Sequence, residues 1–332
     1  MTRLTASKNN SQLLSIALTG LLLAAFLGPS KAEDPSALDI NLDSGALAYI
    51  SNDQGVDAIM VQDGRLLQKA YRCQSESEMI LTPSIDYWQN NITFVIDNGQ
   101  PGRTIYGLAL SGSETQKWGG EVRELATLPE ASWPTAGPDG SIYLVMPDES
   151  NLKTGKVTGL FQLNDGSIRT IHSAEQRFKY YWPLISPTGS QLFYRQSIAP
   201  QSEVKESFWS RMILRDLNTG AQTFHFVDEP IYLEQWSKTG IIYSTKMADE
   251  ARTRVYRLYD PSTGAVRELF RGSVWQARFN ADLTQVAVIR PEPPSDNFFD
   301  VFVIELATHV EQNITNTPQI SESLIGWLSA RN

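Results

Sequence analysis

The stretch LISPTGSQLFYRQ (184–196) sets a turn of Ser, Pro, Thr and Gly between two short apolar runs, and the same phrase returns along the chain. TAGPDGSIYLVMP (135–147) and QWSKTGIIYSTK (235–246) repeat it closely. RFNADLTQVAVIR (278–290), SIDYWQNNITFVID (84–97) and DINLDSGALAYIS (39–51) repeat it more loosely. Gly140, Gly189 and Gly240 lie 49 and 51 residues apart. A fixed period of this size means one supersecondary unit stacked on copies of itself, because a single unit cannot bury its own apolar face.

Each copy has a second half, in which a variable loop leads to another strand, a tight turn and a last strand. MILRDLNTGAQTFHF (212–226) and VYRLYDPSTGAVRELF (255–270) are the clearest examples. In Asp216–Gly220 and Asp260–Gly264 the Asp side chain caps its own backbone and the Gly accepts a positive φ. Six such units of about fifty residues can be counted. Evenly spaced short strands with no amphipathic helical stretch predict an all-β chain: a six-bladed β-propeller of four-stranded antiparallel blades. A sandwich would not need the same four-strand phrase six times.

The residue before each turn is Ile85, Ala136, Ile185, Trp236, Phe279 or Trp327. These are mostly large and apolar, as side chains packed between two blades should be. The tail SLIGWLSARN (323–332) reads as an inner strand, whereas the first unit has GALAYIS (45–51) as its second strand and no evident inner one. The C-terminal strand is therefore expected to join the first blade and close the ring, leaving no free sheet edge.

The first 32 residues read as a cleaved secretory signal: Arg3 and Lys8, then the apolar run 13–27, then Ser30-Lys31-Ala32. Residues 33–332 are expected to form a single exported domain, periplasmic or alternatively secreted, with no membrane insertion after cleavage. Of 28 Lys and Arg, three lie in the leader, which holds none of the 37 Asp and Glu, so the remainder carries −12. That balance excludes nucleic acid as a partner. Cys73 stands alone, so no internal disulfide forms and burial must stabilise the fold.

AYISNDQGVDAIMVQDG (48–64), GPDGSIYLVMPD (137–148) and ISPTGSQLFYRQ (185–196) resemble the PD40/WD40-like repeats of the TolB-type periplasmic propellers. The resemblance spans roughly residues 38–332 and implies a propeller fold, a periplasmic compartment and a protein-binding habit. TolB carries an α/β domain ahead of its propeller, and here only about Glu33 to Leu38 precede the first strand, so the likeness is to the propeller domain alone.

Motifs for catalysis do not emerge. His172, His225 and His309 fall in or beside the outer strands of different blades and read as solvated edge residues rather than ligands. No paired-Cys or His-x-x-x-His spacing, nucleophile elbow, phosphate loop or Ca²⁺ loop is present, so no cofactor, metal or catalytic residue is expected. Two candidate binding regions remain. Long loops between second and third strands gather Phe208, Arg252, Arg254, Phe298 and Phe299 on one face, a pattern of aromatic anchors amid charge. The starts of inner strands place Trp182, Glu234, Gln276, Arg278 and Glu322 near the channel mouth, with Trp133, Tyr181 and Trp275 beside them. The expected function is a non-enzymatic, monomeric scaffold binding an envelope or secreted protein. The alternative is a glycan-binding or glycan-cleaving propeller whose carboxylate pair would be Glu234 and Glu322. A quinone- or metal-dependent dehydrogenase lacks its vicinal cysteines and its ligand cluster.

Overall fold

The computed structural model describes residues 45–64, 66–86, 90–113, 116–147, 158–173, 178–198, 210–226, 231–247, 253–291, 298–317 and 319–329. All lie within the unit Asp39–Asn332. The described residues form strands and turns with no helix. The chain opens with β1 (Gly45–Asp53), β2 (Val56–Asp63) and β3 (Leu66–Arg72). Four separate antiparallel four-stranded sheets follow. The first holds β4 (Met79–Asp86), β5 (Asn91–Asp97), β6 (Arg103–Ser113) and β7 (Gln116–Leu128). The second holds β8 (Ser132–Ala136), β9 (Ile142–Pro147), β10 (Thr158–Asn164) and β11 (Ser167–His172). The third holds β12 (Phe178–Ile185), β13 (Gln191–Ile198), β14 (Ser210–Asp216) and β15 (Gln222–His225). The fourth holds β16 (Ile231–Ser237), β17 (Gly240–Lys246), β18 (Thr253–Tyr259) and β19 (Val266–Ser273).

The remaining strands depart from the expectation of six separate sheets. β20 (Gln276–Phe279), β21 (Gln285–Pro291), β22 (Phe299–Glu305), β23 (Glu311–Asn313) and β24 (Ser321–Ser329) join β1–β3 in one eight-stranded sheet. Its order is β20-β21-β22-β24-β1-β2-β3, with β23 on β22. The physical reason is a single parallel pair, Phe299↔Ser321, that bridges β22 to β24. β24 runs antiparallel to β1 from Gly45↔Ser329 to Asn52↔Ser321. The arrangement is a β-propeller built of antiparallel meanders.

Burial follows strand position. Second strands are apolar on both faces, as in NITFVID of β5 and QVAVIRP of β21, because each is covered by the sheets on either side. Outer strands such as β11 and β19 are largely exposed. Ala136, Ile185, Trp236, Phe279 and Trp327, the residues before the turns, are buried, and Ile85 is half-buried against its neighbours. Core clusters cross from sheet to sheet: Val95, Ile105 and Leu128 pack on Ala136, Ile142, Leu144 and Phe161. Outer seams are plugged by histidines. His172 and His225 are half-buried rather than solvated, bonded through Nδ1 to the hydroxyls of Tyr180 (3.0 Å) and Tyr259 (2.7 Å). Desolvation lowers the pKa of His225. His309 alone of the three is exposed. Cys73 is buried and free, and burial pushes its thiol up to about 12.

The innermost strands β4, β8, β12, β16 and β20 are sheet edges, and side chains bridge the seams between innermost strands. Gln235 on β16 donates to the Phe279 carbonyl (3.1 Å) and accepts from the Phe279 N–H (3.0 Å). Asn90 makes the same two-way bridge to Ser329 on β24, at 3.2 and 2.8 Å. The Trp327 indole donates to the Arg278 carbonyl at 2.9 Å. Farther out, Trp118 on β7 enters the cluster containing Val61 and Leu110 and donates to Asp63 at 2.8 Å.

The repeated turns separate two costs of replacing glycine. Gly140 (φ +82) has nothing within 4 Å of a built Cβ, whereas at Gly189 (φ +71) that Cβ would stand 2.8 Å from the ring of Pro138 in the neighbouring turn. Gly140→Ala is expected to cost about 1 kcal/mol from the left-handed backbone alone. Gly189→Ala adds a clash with a rigid ring and should cost about 2–4 kcal/mol. Urea unfolding of the two variants checks the order.

Candidate functional site

The six strands β4, β8, β12, β16, β20 and β24 are the ones that begin the repeated phrase, and residues from all six line one central cavity of about 760 Å³. Three of them share a local device. Thr82-Pro83, Trp133-Pro134 and Trp182-Pro183 interrupt the pairing of β4, β8 and β12 with their second strands, as register shifts at 81/84, 132/135 and 181/184. Proline suits an edge strand, where its missing N–H costs no ladder bond. The residue before it takes a positive φ in each case, +44, +49 and +49. For Trp133 and Trp182 that is a strained conformation, since a residue preceding proline favours extended backbone. The bulge turns the strand so that these rings face the cavity. Neighbouring bulges hold one another: the Trp133 N–H donates to Thr82 Oγ1 at 2.9 Å.

The rings meet as a wall. Trp133 and Trp182 are 6.1 Å apart edge to face, and Trp182 and Tyr232 are 5.6 Å apart. The Arg195 guanidinium lies 5.5 Å from the Trp182 ring and that of Arg254 lies 4.7 Å from Tyr232. Farther round, Trp275 is 66% exposed and its ring lies 5.9 Å from that of Phe299, tilted by 43°.

In β16 the bulge is one residue, Glu234, at the repeat position that Pro183 occupies one unit earlier. Its carboxylate is 7% exposed and both oxygens are engaged. Oε2 accepts from Arg278 Nη1 at 2.6 Å. Oε1 accepts from the Ser244 hydroxyl at 2.7 Å, with Arg254 Nη1 at 3.5 Å. Gln276 is likewise occupied, its Oε1 accepting from the Leu324 N–H at 2.8 Å and from the Ser323 hydroxyl at 3.2 Å. Glu322 differs. It is 5% exposed and hydrogen-bonded to the hydroxyls of Thr317 and Thr315. Burial pushes its carboxyl up to about 7.

Trp182, Glu234, Gln276, Arg278 and Glu322, expected at the channel mouth, all line this cavity, and Arg254 from the loop set joins them through Glu234. Phe299 stands beside Trp275, so the two candidate regions meet at that point, and Phe298 next to it in sequence is 36% exposed. Phe208 and Arg252 lie outside the described residues. Tyr232 and the Thr82 bulge escaped sequence reasoning. The legible signal was the X-Pro pair at Pro83, Pro134 and Pro183, spaced 51 and 49 residues, which matches the glycine period. Among the described residues no group of three or more His, Cys, Asp and Glu side chains is placed to hold a metal ion.

Removing Glu234 leaves two partly buried guanidinium groups facing each other. Glu234→Ala is expected to lower stability by about 3 kcal/mol, and Glu234→Gln, which keeps an acceptor for Ser244, by less. Denaturant midpoints of the two variants against the parent measure this.

No known family pattern matches the sequence, and a search of curated proteins returned no match. Solved structures do match. TolB from Acinetobacter baumannii superimposes with a TM-score of 0.61 at 14% identity, over 85% of this chain and 67% of that one. An oligogalacturonate lyase from Vibrio parahaemolyticus aligns at a TM-score of 0.48 and 11% identity, over 81% of this chain and 84% of its own. The first of these carries the fold: this chain is a β-propeller similar to that of TolB.

Proposed function

We propose that this protein is a non-enzymatic binding scaffold that seats a segment of a partner protein at the mouth of its central cavity. The observation that carries this reading is Trp275, two-thirds exposed and packed at a tilt against Phe299 at the edge of a cavity walled by Trp133, Trp182 and Tyr232. Large aromatic anchors beside a concave, partly charged surface supply most of the energy in protein–protein recognition. Binding is favoured over acid–base chemistry because both oxygens of Glu234 are committed to Ser244, Arg254 and Arg278. Neither is free to attack a sugar carbon or take a proton from water, as a paired-carboxylate glycosidase requires. A bound glycan is the second reading, favoured by the same wall of rings, which would stack on sugar faces.

In this reading the eight-stranded sheet is two blades, β20–β23 and β24-β1-β2-β3, in contact at Phe299↔Ser321. That gives six blades, with the C-terminal strand closing the ring in the first. Residues 1–32, read as an export signal, lie outside the described residues. They support a periplasmic site of action, an envelope or secreted protein as partner, and a propeller that is a monomer on its own.

Photocrosslinking probes at Trp275 and Phe298 in the native host are expected to trap one discrete protein, and probes at Gln222 and Arg267 on outer strands to trap none. With that protein purified, Trp275→Ala should weaken binding by about 2 kcal/mol, roughly thirtyfold, with an unchanged melting temperature because the ring is mostly solvated. No protein crosslink, together with saturable binding of an oligosaccharide abolished by the same substitution, would establish the glycan reading instead.

A further inference from the structure

Two carboxyl groups stand together where β24 meets β22. Asp300 follows Phe299 and Glu322 follows Ser321, so the acids flank the one residue pair that bridges the two strands. Asp300 is 2% exposed and Glu322 5%. Carboxylates this buried ordinarily find a cation. Among the described residues neither has one. Their partners are neutral: Asn313 donates its amide to Asp300 Oδ2 at 2.7 Å, and the Thr317 N–H to Oδ1 at 3.4 Å. The hydroxyls of Thr317 and Thr315 donate to the two oxygens of Glu322. Thr315 Oγ1 also accepts from the Val301 N–H at 3.0 Å, so the stretch 313–317 is tied to both acids and to β22.

β21 places Arg290 opposite Asp300, but its guanidinium is taken up by Glu311. The groups facing Glu322 add negative rather than positive charge. β1 places Ser51 opposite Glu322 and contributes the phenol of Tyr49, whose own ionisation the Glu322 charge opposes. β2 contributes Asp57, bonded to Asn52 at 2.6 Å, and both line the same cavity as Glu322. From β20 come Gln276, which is neutral, and Arg278, whose guanidinium is taken up by Glu234. Nothing described offers Glu322 a countercharge except a proton of its own.

We propose that Asp300 and Glu322 form a proton-operated latch at this junction. With a proton on Glu322, one negative charge is shared among the Asn and Thr donors, and β24, the stretch 313–317 and this side of the cavity wall stay fastened. When that proton leaves, two buried negative charges face each other without a cation, and the stretch detaches to let water reach them. The latch does not depend on what the mouth binds.

The direction with pH follows from the environment. Burial raises the Glu322 carboxyl from its ordinary 4.5 to about 7, the Asp300 charge adding to the effect and the Thr317 and Thr315 hydroxyls opposing it. Between those values the fastened state holds a proton that the detached state does not. The stability of the latch is therefore full at acid pH and falls as pH rises through that window.

Hydrogen exchange of the intact protein at about pH 6 and about pH 8.5, corrected for intrinsic rates, tests this. Amides of residues 313–324 are expected to lose roughly tenfold of their protection at the higher pH, while β5 keeps its own. Glu322→Gln, neutral at both values, should hold its protection across the range. Asp300→Asn, which removes the opposing charge, should reduce the loss, and it carries the test if the Gln variant does not fold. Equal protection of the parent at both pH values, or the same loss in Glu322→Gln, overturns the proposal.

Discussion

The propeller depends on how its innermost strands are satisfied. β4, β8, β12, β16 and β20 begin their repeats at the cavity with a partner strand on one side only, and β24 has a long ladder on one side and a single residue pair on the other. A sheet edge in an enclosed space is costly unless its backbone groups find donors and acceptors. Here the neighbouring sheet supplies them through side chains. The Gln235 amide reads both backbone groups of Phe279, the Asn90 amide both of Ser329, and the Thr82 hydroxyl accepts the N–H of Trp133. These bonds fix the spacing between sheets at the cavity, while apolar clusters such as Val95–Leu144–Phe161 fill the seams farther out.

The same edges are where the molecule gives up regularity. Proline is admissible on an inner strand because no partner needs its N–H, and three inner strands carry one. Its insertion forces a bulge, and the bulge presents Trp133 and Trp182 to the cavity at a cost in backbone strain. Where the next repeat has Glu234 in place of proline, a charge enters the wall, and Arg254 on β18 and Arg278 on β20 neutralise it. Aromatic surface and ion pairing at the mouth therefore have one structural origin. They come from the tolerance of an edge strand for residues that a central strand would reject.

The eight-stranded sheet shows what happens where that pattern is least regular. β24 pairs with β1 along eight residues of each strand's neighbourhood in the register from Gly45↔Ser329 to Asn52↔Ser321, joining the two ends of the described chain. On its other side it touches β22 through one residue pair only, and two uncompensated carboxyls sit at that contact. One side of β24 is held by a long ladder, whereas beside β22 it is held by the Glu322 hydrogen bonds to Thr315 and Thr317, and farther along by Gln276 and the Arg278 carbonyl. A change of charge at Glu322 acts on the weaker side.

The glycine-punctuated period made the all-β repeat legible in the sequence, because a turn with a positive φ between apolar runs admits few other structures. The phrase also marked which strand of each unit faces inward, and it brought Trp182, Glu234, Gln276, Arg278 and Glu322 together as candidates. Their states were not legible. Whether Glu234 is paired and Glu322 is not depends on Arg254, Arg278 and Asp300, which lie on other strands and reach these acids only through folding. His172 and His225 looked solvated because their strands are outermost, yet the hydroxyls of Tyr180 and Tyr259 hold them in the seams. Local sequence by itself determined where strands and turns fall, since those follow from a few adjacent residues. Only the tertiary structure decided which charges are compensated, because compensation is a matter of distances between residues that the chain keeps far apart.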